Sequence, residues 1–259
     1  MLVAGIDVGS VSTKAVIIDN NRFSSLVTAT GWSPRDAGQE AYQRLLEQNN
    51  YETDQVACIV ATGYGRISLP FADKTVTEVT CHARGAAYLV PNSHLVIDVG
   101  GQDSKVIKID DEGRVLDFAM NDKCAAGTGR FLQVIAAALG SDVSELGELS
   151  DGHVPLALNS MCTVFAESEV IGLLAQGKAK GEIVAGLHQS VARRVASMAQ
   201  RMGVKGKVAF TGGVARNNGV KKSLEAHLGI PVIVPENCQL AGAIGAALIA
   251  RDLASAPVS

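Results

Sequence analysis

The feature that most constrains the fold is a strand–turn–strand pattern that occurs twice in the chain. The first copy runs from Val3 to Asp19: a short apolar run ending in Asp-x-Gly, a small hydroxyl-rich turn and a second apolar run. The second copy runs from Val96 to Asp110 and repeats the first at a constant offset. Repetition at this length predicts two related halves rather than a short-period solenoid.

The repeated positions carry groups suited to an anionic ligand. The matching pairs are Asp7 with Asp98, Gly9 with Gly100, Lys14 with Lys105 and Asp19 with Asp110. A turn of this kind exposes backbone N–H groups, hydroxyls and a lysine, although it lacks the Gly-x-x-x-x-Gly-Lys-Ser/Thr pattern of a Walker P-loop. Two such hairpins facing each other across a cleft would grip a polyphosphate from both sides, each with an Asp for hydrated Mg²⁺.

The rest of the pattern alternates helices and strands. The predicted elements are helices over 36–49 and 78–89, strands over 56–61, 114–119 and 207–211, a long helix over 183–202 and a final helix from about 240. Pro91-Asn92-Ser93 punctuates the chain between the two copies. We therefore expect an α/β protein whose first half spans 1–91, joined by the C-terminal helix at about 243–259, with a second half over 92–242.

Composition narrows the class of protein. The 259 residues carry a net charge of −3, and 19% are charged, so there is no electrostatic case for nucleic acid or an anionic membrane surface. The chain opens on a strand-like run without signal-peptide features, and no apolar run reaches the roughly 18 residues of a membrane span. We expect a cytoplasmic protein that binds neither nucleic acid nor membrane.

The cysteines allow two interpretations. Five cysteines at wide spacing argue against a disulfide framework. Cys124 and Cys162 each precede a predicted helix, whose N-terminus favours a thiolate, so two chains in a twofold dimer would supply the four ligands of an iron–sulfur cluster. From spacing alone, two buried cysteines acting as small hydrophobes are the favoured alternative. Cys58, Cys81 and Cys238 are predicted to be core residues.

Three motifs in order carry a resemblance to known proteins. Residues 5–10 (GIDVGS), 98–103 (DVGGQD) and 211–215 (TGGVA) resemble the phosphate-1, phosphate-2 and adenosine motifs of the actin/Hsp70/sugar-kinase superfamily. More narrowly, residues 121–131 and 160–169 resemble the activator ATPases of 2-hydroxyacyl-CoA dehydratases and benzoyl-CoA reductases, the BadF/BadG/BcrA/BcrD family or archerases. The resemblance implies a duplicated ribonuclease-H-like fold, with a nucleotide cleft between two α/β halves.

The same resemblance implies a set of site residues and cofactors. Known activators are homodimers that share one 4Fe–4S cluster, which here implies Cys124 and Cys162 as ligands. Asp7 and Asp103 are implied to hold Mg²⁺ or its waters and to orient the attacking water. The residues implied to bind ATP or ADP are Ser10, Val11, Ser12, Thr13, Lys14, Gly100, Gly101, Gln102, Gly212, Gly213, Asn217 and Gln239.

The function implied is that of an ATP-driven, one-electron donor. Ferredoxin or flavodoxin would supply the electron, and a 2-hydroxyacyl-CoA dehydratase, a benzoyl-CoA reductase or a double-cubane cluster protein would accept it. A small-molecule kinase of the same superfamily is an alternative, but no acceptor pocket or general base is marked in the sequence. An actin-like scaffold is a third possibility, and it would leave the two cysteine motifs without a role.

Overall fold

The computed structural model of the chain describes residues 1–20, 22–158 and 162–256, without the side chain of Val164. The chain divides into two compact units. Unit 1 comprises Met1–Ser93, Ile109–Leu116 and the residues from Gln239 onward, and unit 2 comprises His94–Lys108 and Asp117–Cys238. The half limits given by the sequence pattern stay a prediction.

The strands are β1 (Leu2–Val8), β2 (Ser12–Asp19), β3 (Arg22–Ala29), β4 (Val56–Thr62), β5 (Lys74–Thr75), β6 (Ser93–Val99), β7 (Ser104–Ile109), β8 (Val115–Asn121) and β9 (Lys207–Thr211). The α-helices are α1 (Pro34–Gln48), α2 (Glu78–Leu89), α3 (Gly129–Ala138), α4 (Leu146–Leu149), α5 (Thr163–Ala175), α6 (Lys180–Met202), α7 (Asn218–Leu228) and α8 (Ala241–Ala254). None of these helices is long and apolar enough to cross a bilayer.

The sheet of unit 1 has the strand order β3-β2-β1-β4-β5. Strand β1 pairs antiparallel with β2 and parallel with β4, and it is buried along its whole length. Its alternate residues point to opposite faces, as in any strand. Ile6 packs with side chains of α1 on one face, whereas Val3 packs with side chains of α8 on the other. Helices therefore cover both faces of this sheet.

Glycines allow α8 to lie directly against α2 and β1. A Cβ at Gly245 would overlap the carbonyl oxygen of Cys81, and one at Gly85 would overlap that of Ala241. A Cβ at Gly5 would likewise overlap the backbone of α8. The small residues of the C-terminal helix are therefore explained by backbone-to-backbone packing within unit 1.

The four-stranded sheet has the order β8-β7-β6-β9 and supplies the core of unit 2. Ile97 and Val99 of β6 pack with Phe131 of α3 and with Leu187 and Val191 of α6. Both hairpins fold as expected, and α2 has the predicted bounds. Strand β3 and helix α7 were not predicted from the sequence.

Candidate functional site

The first hairpin places a buried carboxylate opposite a lysine. In the β1–β2 register Asp7 faces Lys14, and the Lys14 Nζ atom lies 3.5 Å from Asp7 Oδ2. Asp7 is only 4% exposed, whereas the side chain of Lys14 retains 15% exposure. Lys14 Nζ also donates to the carbonyl oxygen of Ser12 at 3.2 Å. The cation is thus held at the turn, with part of its surface open to a ligand.

The turn itself is tight and closed by its own backbone. Gly9 N–H donates to the carbonyl of Ser12 at 3.2 Å, and a Cβ at Gly9 would lie 2.8 Å from that oxygen and 3.3 Å from Lys14 Nζ. Thr30 Oγ1 donates to the Gly9 carbonyl at 2.7 Å, so its oxygen is free to accept from Thr13 Oγ1 at 2.9 Å. The fully buried Thr13 hydroxyl therefore supports the turn from inside the fold.

Backbone segments surround the carboxylate of Asp7. Gly63, at φ +85°, follows β4, and a Cβ there would overlap Asp7 Oδ1. A Cβ at Gly242, in the first turn of α8, would lie 3.0 Å from Asp7 Oδ2 and 2.9 Å from Nε2 of the buried His82. The carboxylate is therefore fixed in a narrow slot, and neither Gly63, Gly242 nor His82 was predicted from the motif.

The second hairpin repeats this geometry. Asp98 faces Lys105 across β6 and β7, with Lys105 Nζ 3.7 Å from Asp98 Oδ2. Gly100 N–H donates to the Asp103 carbonyl at 3.0 Å, which is the equivalent of the bond from Gly9 N–H to the Ser12 carbonyl in the first turn. Thr211 at the end of β9 donates from Oγ1 to Asp98 Oδ1 at 2.9 Å. The sequence repeat is therefore a repeat of structure.

One difference between the hairpins lies in the lysine. Lys105 is only 2% exposed, and its Nζ also contacts Asp103 Oδ2 at 2.7 Å. The first hairpin has Ser12 at the position of Asp103, and its lysine has a single carboxylate partner within the described residues. Asp103 is half-buried beside a turn whose Gln102 is exposed, so its carboxylate is both paired and close to solvent.

The two glycines of the adenosine motif, Gly212 and Gly213, differ in their surroundings. Gly212 has φ +89°, and a Cβ there would overlap the carbonyl oxygen of Val99. Gly213 is exposed and has nothing within 4 Å of its Cβ position. Asn217 caps α7 by accepting from Val220 N–H at 3.0 Å, while its buried Nδ2 has no hydrogen-bond partner in the described part of the chain. Gly213 therefore leaves space for a ligand, whereas the Asn217 nitrogen is enclosed within the fold. Gln239, predicted with this group, is half-exposed in unit 1.

The five cysteines separate by accessibility. Cys162 is exposed and Cys124 half-exposed, whereas Cys58, Cys81 and Cys238 are buried. Burial raises the pKa of Cys81 to about 12 and also raises that of Cys58 above its usual value. The favoured alternative from spacing, in which Cys124 and Cys162 are buried core residues, is therefore wrong.

The expectation that both thiols lie at helix starts is correct for one of them. Cys162 is the N-cap residue of α5. Helix α3 has Thr128 as its N-cap, so Cys124 lies upstream in the non-helical stretch 122–128. Ser160 and Met161 of the second cysteine motif fall outside the described residues. Within the described residues no cluster of three or more Cys, His, Asp or Glu side chains is placed to hold a metal.

The stretch around Cys124 is fixed by side-chain hydrogen bonds. Asn121 Nδ2 donates to the carbonyl of Cys124 at 2.9 Å and to that of Ala126 at 3.1 Å. Thr128 Oγ1 donates to the carbonyl of Ala125 at 2.6 Å. We call residues 121–128 the Cys124 loop. The backbone carbonyls of residues 124–126 are thus occupied, and the Cys124 side chain remains half-exposed.

The Cys124 loop is connected to the second hairpin through α3. Gly129 N–H donates to the Gly100 carbonyl at 2.8 Å, and Arg130 N–H donates to the Gly101 carbonyl at 2.7 Å. These are N–H groups of the first turn of α3, which have no partner inside the helix. A Cβ at Gly129 would lie 3.0 Å from the Gly100 oxygen. The turn of the second hairpin therefore serves as the cap of the helix that follows the Cys124 loop.

Comparison with known proteins decides the family. The sequence profile of the BadF/BadG/BcrA/BcrD ATPase family matches residues 4–250. The chain belongs to the BadF/BadG/BcrA/BcrD ATPase family. The family predicted from residues 121–131 and 160–169 is therefore confirmed.

Relatives of this ATPase match over nearly their whole length. The 2-hydroxyisocaproyl-CoA dehydratase activator of Clostridioides difficile is 43% identical over 97% of this chain and 96% of its own length. The (R)-2-hydroxyglutaryl-CoA dehydratase activating ATPase of Acidaminococcus fermentans is 46% identical over 97% of each chain.

Solved structures confirm the fold class. Component A of the A. fermentans dehydratase superposes with a TM-score of 0.95 at 44% identity, covering 99% of this chain and 100% of that one. The C. difficile activator with bound ADPNP gives a TM-score of 0.91 at 43% identity, covering 98% of this chain and 96% of that one. A ROK glucokinase from Streptomyces griseus, at 16% identity and a TM-score of 0.58, shares the fold alone.

Proposed function

We propose that this ATPase activates a 2-hydroxyacyl-CoA dehydratase, or a related iron–sulfur reductase, by ATP-driven transfer of one electron. In this proposal two copies of the chain share one 4Fe–4S cluster, and ferredoxin or flavodoxin supplies the electron. The names of the full-length relatives from C. difficile and A. fermentans support the activator role. The accessibility of two thiols among five cysteines supports the cluster.

The observation that carries the proposal is the selective exposure of Cys124 and Cys162. A 4Fe–4S cluster takes four thiolates, and one chain offers two accessible thiols that fit half of that donor set. A twofold dimer brings the same residues from both copies to the axis, which completes the set. When bound, the cluster would supply the one-electron redox chemistry that no side chain provides.

We assign nucleotide binding to the open groups of the two hairpins and the adenosine motif. The residues proposed to contact ATP are Ser10, Val11, Ser12, Lys14, Gly100, Gly101, Gln102, Gly213, Asn217 and Gln239. Thr13 and Gly212 are proposed to support the site from behind, because their surroundings are occupied by Thr30 and Val99. Asp7 and Asp103 would hold Mg²⁺ or its waters, and the ion would neutralise charge on the phosphates.

The link between the two sites is the pair of hydrogen bonds from α3 to the second hairpin. Gly129 N–H and Arg130 N–H donate to the Gly100 and Gly101 carbonyls. A phosphate group that shifts this turn would therefore also shift the first turn of α3. Helix α3 would carry that shift to the Cys124 loop as a nearly rigid body. At the second ligand, Cys162 lies at the positive N-terminal end of α5, which stabilises negative charge.

Iron content tests the proposal. Protein purified without oxygen should hold about four irons per dimer. Cys124→Ser and Cys162→Ser should each abolish the cluster, because each removes two of the four thiolates from a twofold dimer. The control Cys58→Ala removes a buried thiol and should retain iron. Full iron retention in Cys124→Ser would contradict the assignment, and iron-free wild-type protein would refute the electron-transfer role.

A further inference from the structure

The Cys124 loop is held from outside by an arginine of α6. Arg194 donates from Nη2 to Oδ1 of Asn121 at 3.3 Å. The amide nitrogen of the same Asn121 donates to the carbonyls of Cys124 and Ala126. The oxygen and the nitrogen of the Asn121 amide are therefore both hydrogen-bonded. The bond from Arg194 to the oxygen helps to fix the orientation in which the nitrogen faces the loop carbonyls. The arginine acts on the cysteine through one intervening side chain.

The aliphatic stem of Arg194 also lies against the loop backbone. Gly127 has φ +86°, a conformation that residues with a Cβ rarely adopt. A Cβ at Gly127 would lie 2.9 Å from Cδ of Arg194 and 3.5 Å from its Cγ. The loop therefore folds over the arginine at a position where only glycine leaves enough space. This contact fixes where the stem, and hence the charge, is located.

The Arg194 guanidinium is not part of an ion pair within the described residues. No carboxylate of the described residues forms an ion pair with this guanidinium, whose one hydrogen bond there is to the neutral Asn121. Arg194 is half-buried, so water and salt screen its charge less than they screen an exposed one. The adjacent Arg193 is exposed to solvent. One face of the Cys124 loop therefore carries a fixed positive charge.

We propose that Arg194 is a positioning residue for the metal site, which orients the Cys124 loop through Asn121 and sets the reduction potential of the cluster bound there. The inference rests on the proposed function. Reduction adds one negative charge to a cluster already surrounded by thiolates, and nearby charge and hydrogen bonds set cluster potentials. The cation of Arg194 stabilises the reduced state and raises the potential. A residue with a purely structural role would alter stability or iron content without changing the potential.

Three variants separate charge from structure. Arg194→Gln removes the charge but keeps a hydrogen-bond donor, and Arg194→Lys keeps the charge. Arg193→Gln is the matched control, because it removes the same charge from the neighbouring exposed position. The measurement is an EPR-monitored redox titration of the anaerobic ADP-bound dimer, with iron content determined on the same samples. This readout reports the cluster directly and needs no dehydratase partner.

Arg194→Gln should lower the equilibrium constant for cluster reduction about tenfold, which is a shift of about 59 mV to lower potential for one electron. Arg194→Lys should keep most of the wild-type potential, and Arg193→Gln should match the wild type. An Arg194→Gln cluster with the wild-type potential would overturn the inference. So would equal shifts in Arg194→Gln and Arg193→Gln, because the effect would then be one of net charge alone.

A second variant keeps the test decisive if Arg194→Gln does not assemble the cluster. Arg194→Met removes the charge, keeps an aliphatic stem against Gly127 and leaves the hydrogen bonds from Asn121 to the Cys124 loop in place. Its cluster should also titrate at lower potential, and an unchanged potential would overturn the inference. Absence of iron from the wild-type protein would instead refute the proposed function. Failure of one claim is therefore distinguishable from failure of the other.

Discussion

Removal of the Lys105 amine should destabilise the chain far more than removal of any surface charge. Lys105 Nζ lies 2.7 Å from Asp103 Oδ2 and 3.7 Å from Asp98 Oδ2, and the side chains of Lys105 and Asp98 are each only 2% exposed. Lys105→Met keeps most of the buried stem. It leaves the Asp98 carboxylate with the hydroxyl of Thr211 at 2.9 Å but without the cation.

The magnitude follows from the burial of the cluster. Removing one partner of a buried ion pair leaves an uncompensated charge and costs about 3–5 kcal/mol. Exposed pairs are worth about 0–1 kcal/mol, so the control Lys108→Met, at an exposed position of the same strand, should change stability little. At about 2–4 °C per kcal/mol, Lys105→Met should lower the melting temperature by about 6–20 °C.

Urea and thermal unfolding of the full chain, followed by circular dichroism, measure these differences. Asp98→Asn combined with Lys105→Met should recover roughly 1–3 kcal/mol relative to Lys105→Met alone, because the buried carboxylate is then neutral. Equal stability of Lys105→Met and Lys108→Met would refute the argument. No recovery in the double variant would show that the loss arises from packing rather than charge.

Three further predictions concern packing, pH and catalysis. Gly245→Ala should lower the free energy of unfolding by about 1–3 kcal/mol or more, because the new Cβ would overlap the Cys81 carbonyl. The control Gly172→Ala has open space around the new Cβ and should raise the free energy of unfolding by roughly 0.5–1 kcal/mol. Burial lowers the pKa of His188 from 6.5 to about 4. As the pH falls, this histidine is therefore protonated at a higher pH in the unfolded chain than in the folded one. The free energy of unfolding should consequently fall by about 3 kcal/mol between pH 6.5 and pH 4. The urea midpoint should depend less on pH across this range in His188→Gln than in the wild type. Asp7→Ala should lose ATP turnover more than ATP binding, measured by steady-state hydrolysis and equilibrium titration.

Each of these has a contradicting result. Gly245→Ala with wild-type stability would show that α8 shifts away from α2 without cost. Identical pH dependence in His188→Gln would assign the acid sensitivity to other groups. Normal hydrolysis by Asp7→Ala would leave Asp7 as a structural residue of the hairpin, held between Gly63 and Gly242.

The hairpins were predictable because their information is local. The run of apolar residues ending in Asp-x-Gly specifies a strand and a tight turn, and the repeat fixes Asp7 opposite Lys14 and Asp98 opposite Lys105. The bounds of α2 were also predicted, since Thr77 caps it by accepting from Thr80 N–H. By contrast, β3 is exposed or half-exposed along its length, so no buried periodicity marked it as a strand.

The arrangement around the cysteines was less predictable because it depends on distant residues. The apolar spacing after Cys124 marked α3 correctly, but the positive φ of Gly127 and the cap at Thr128 delay its start. Whether a thiol is accessible depends on the tertiary fold, which is why spacing alone favoured a buried Cys124. The contact of Arg194 with Asn121 joins residues far apart in the chain, and no local pattern signals it.

The central claim is that nucleotide binding at the second hairpin changes the environment of a cluster at Cys124. The most direct test is the rate at which a chelator removes iron from the anaerobic dimer with ADP and with a non-hydrolysable ATP analogue. We expect different rates in the two states, and a smaller difference in Gly129→Ala, whose Cβ would lie 3.0 Å from the Gly100 oxygen. Identical rates with both nucleotides, in protein that holds its full iron and binds both, would contradict the account.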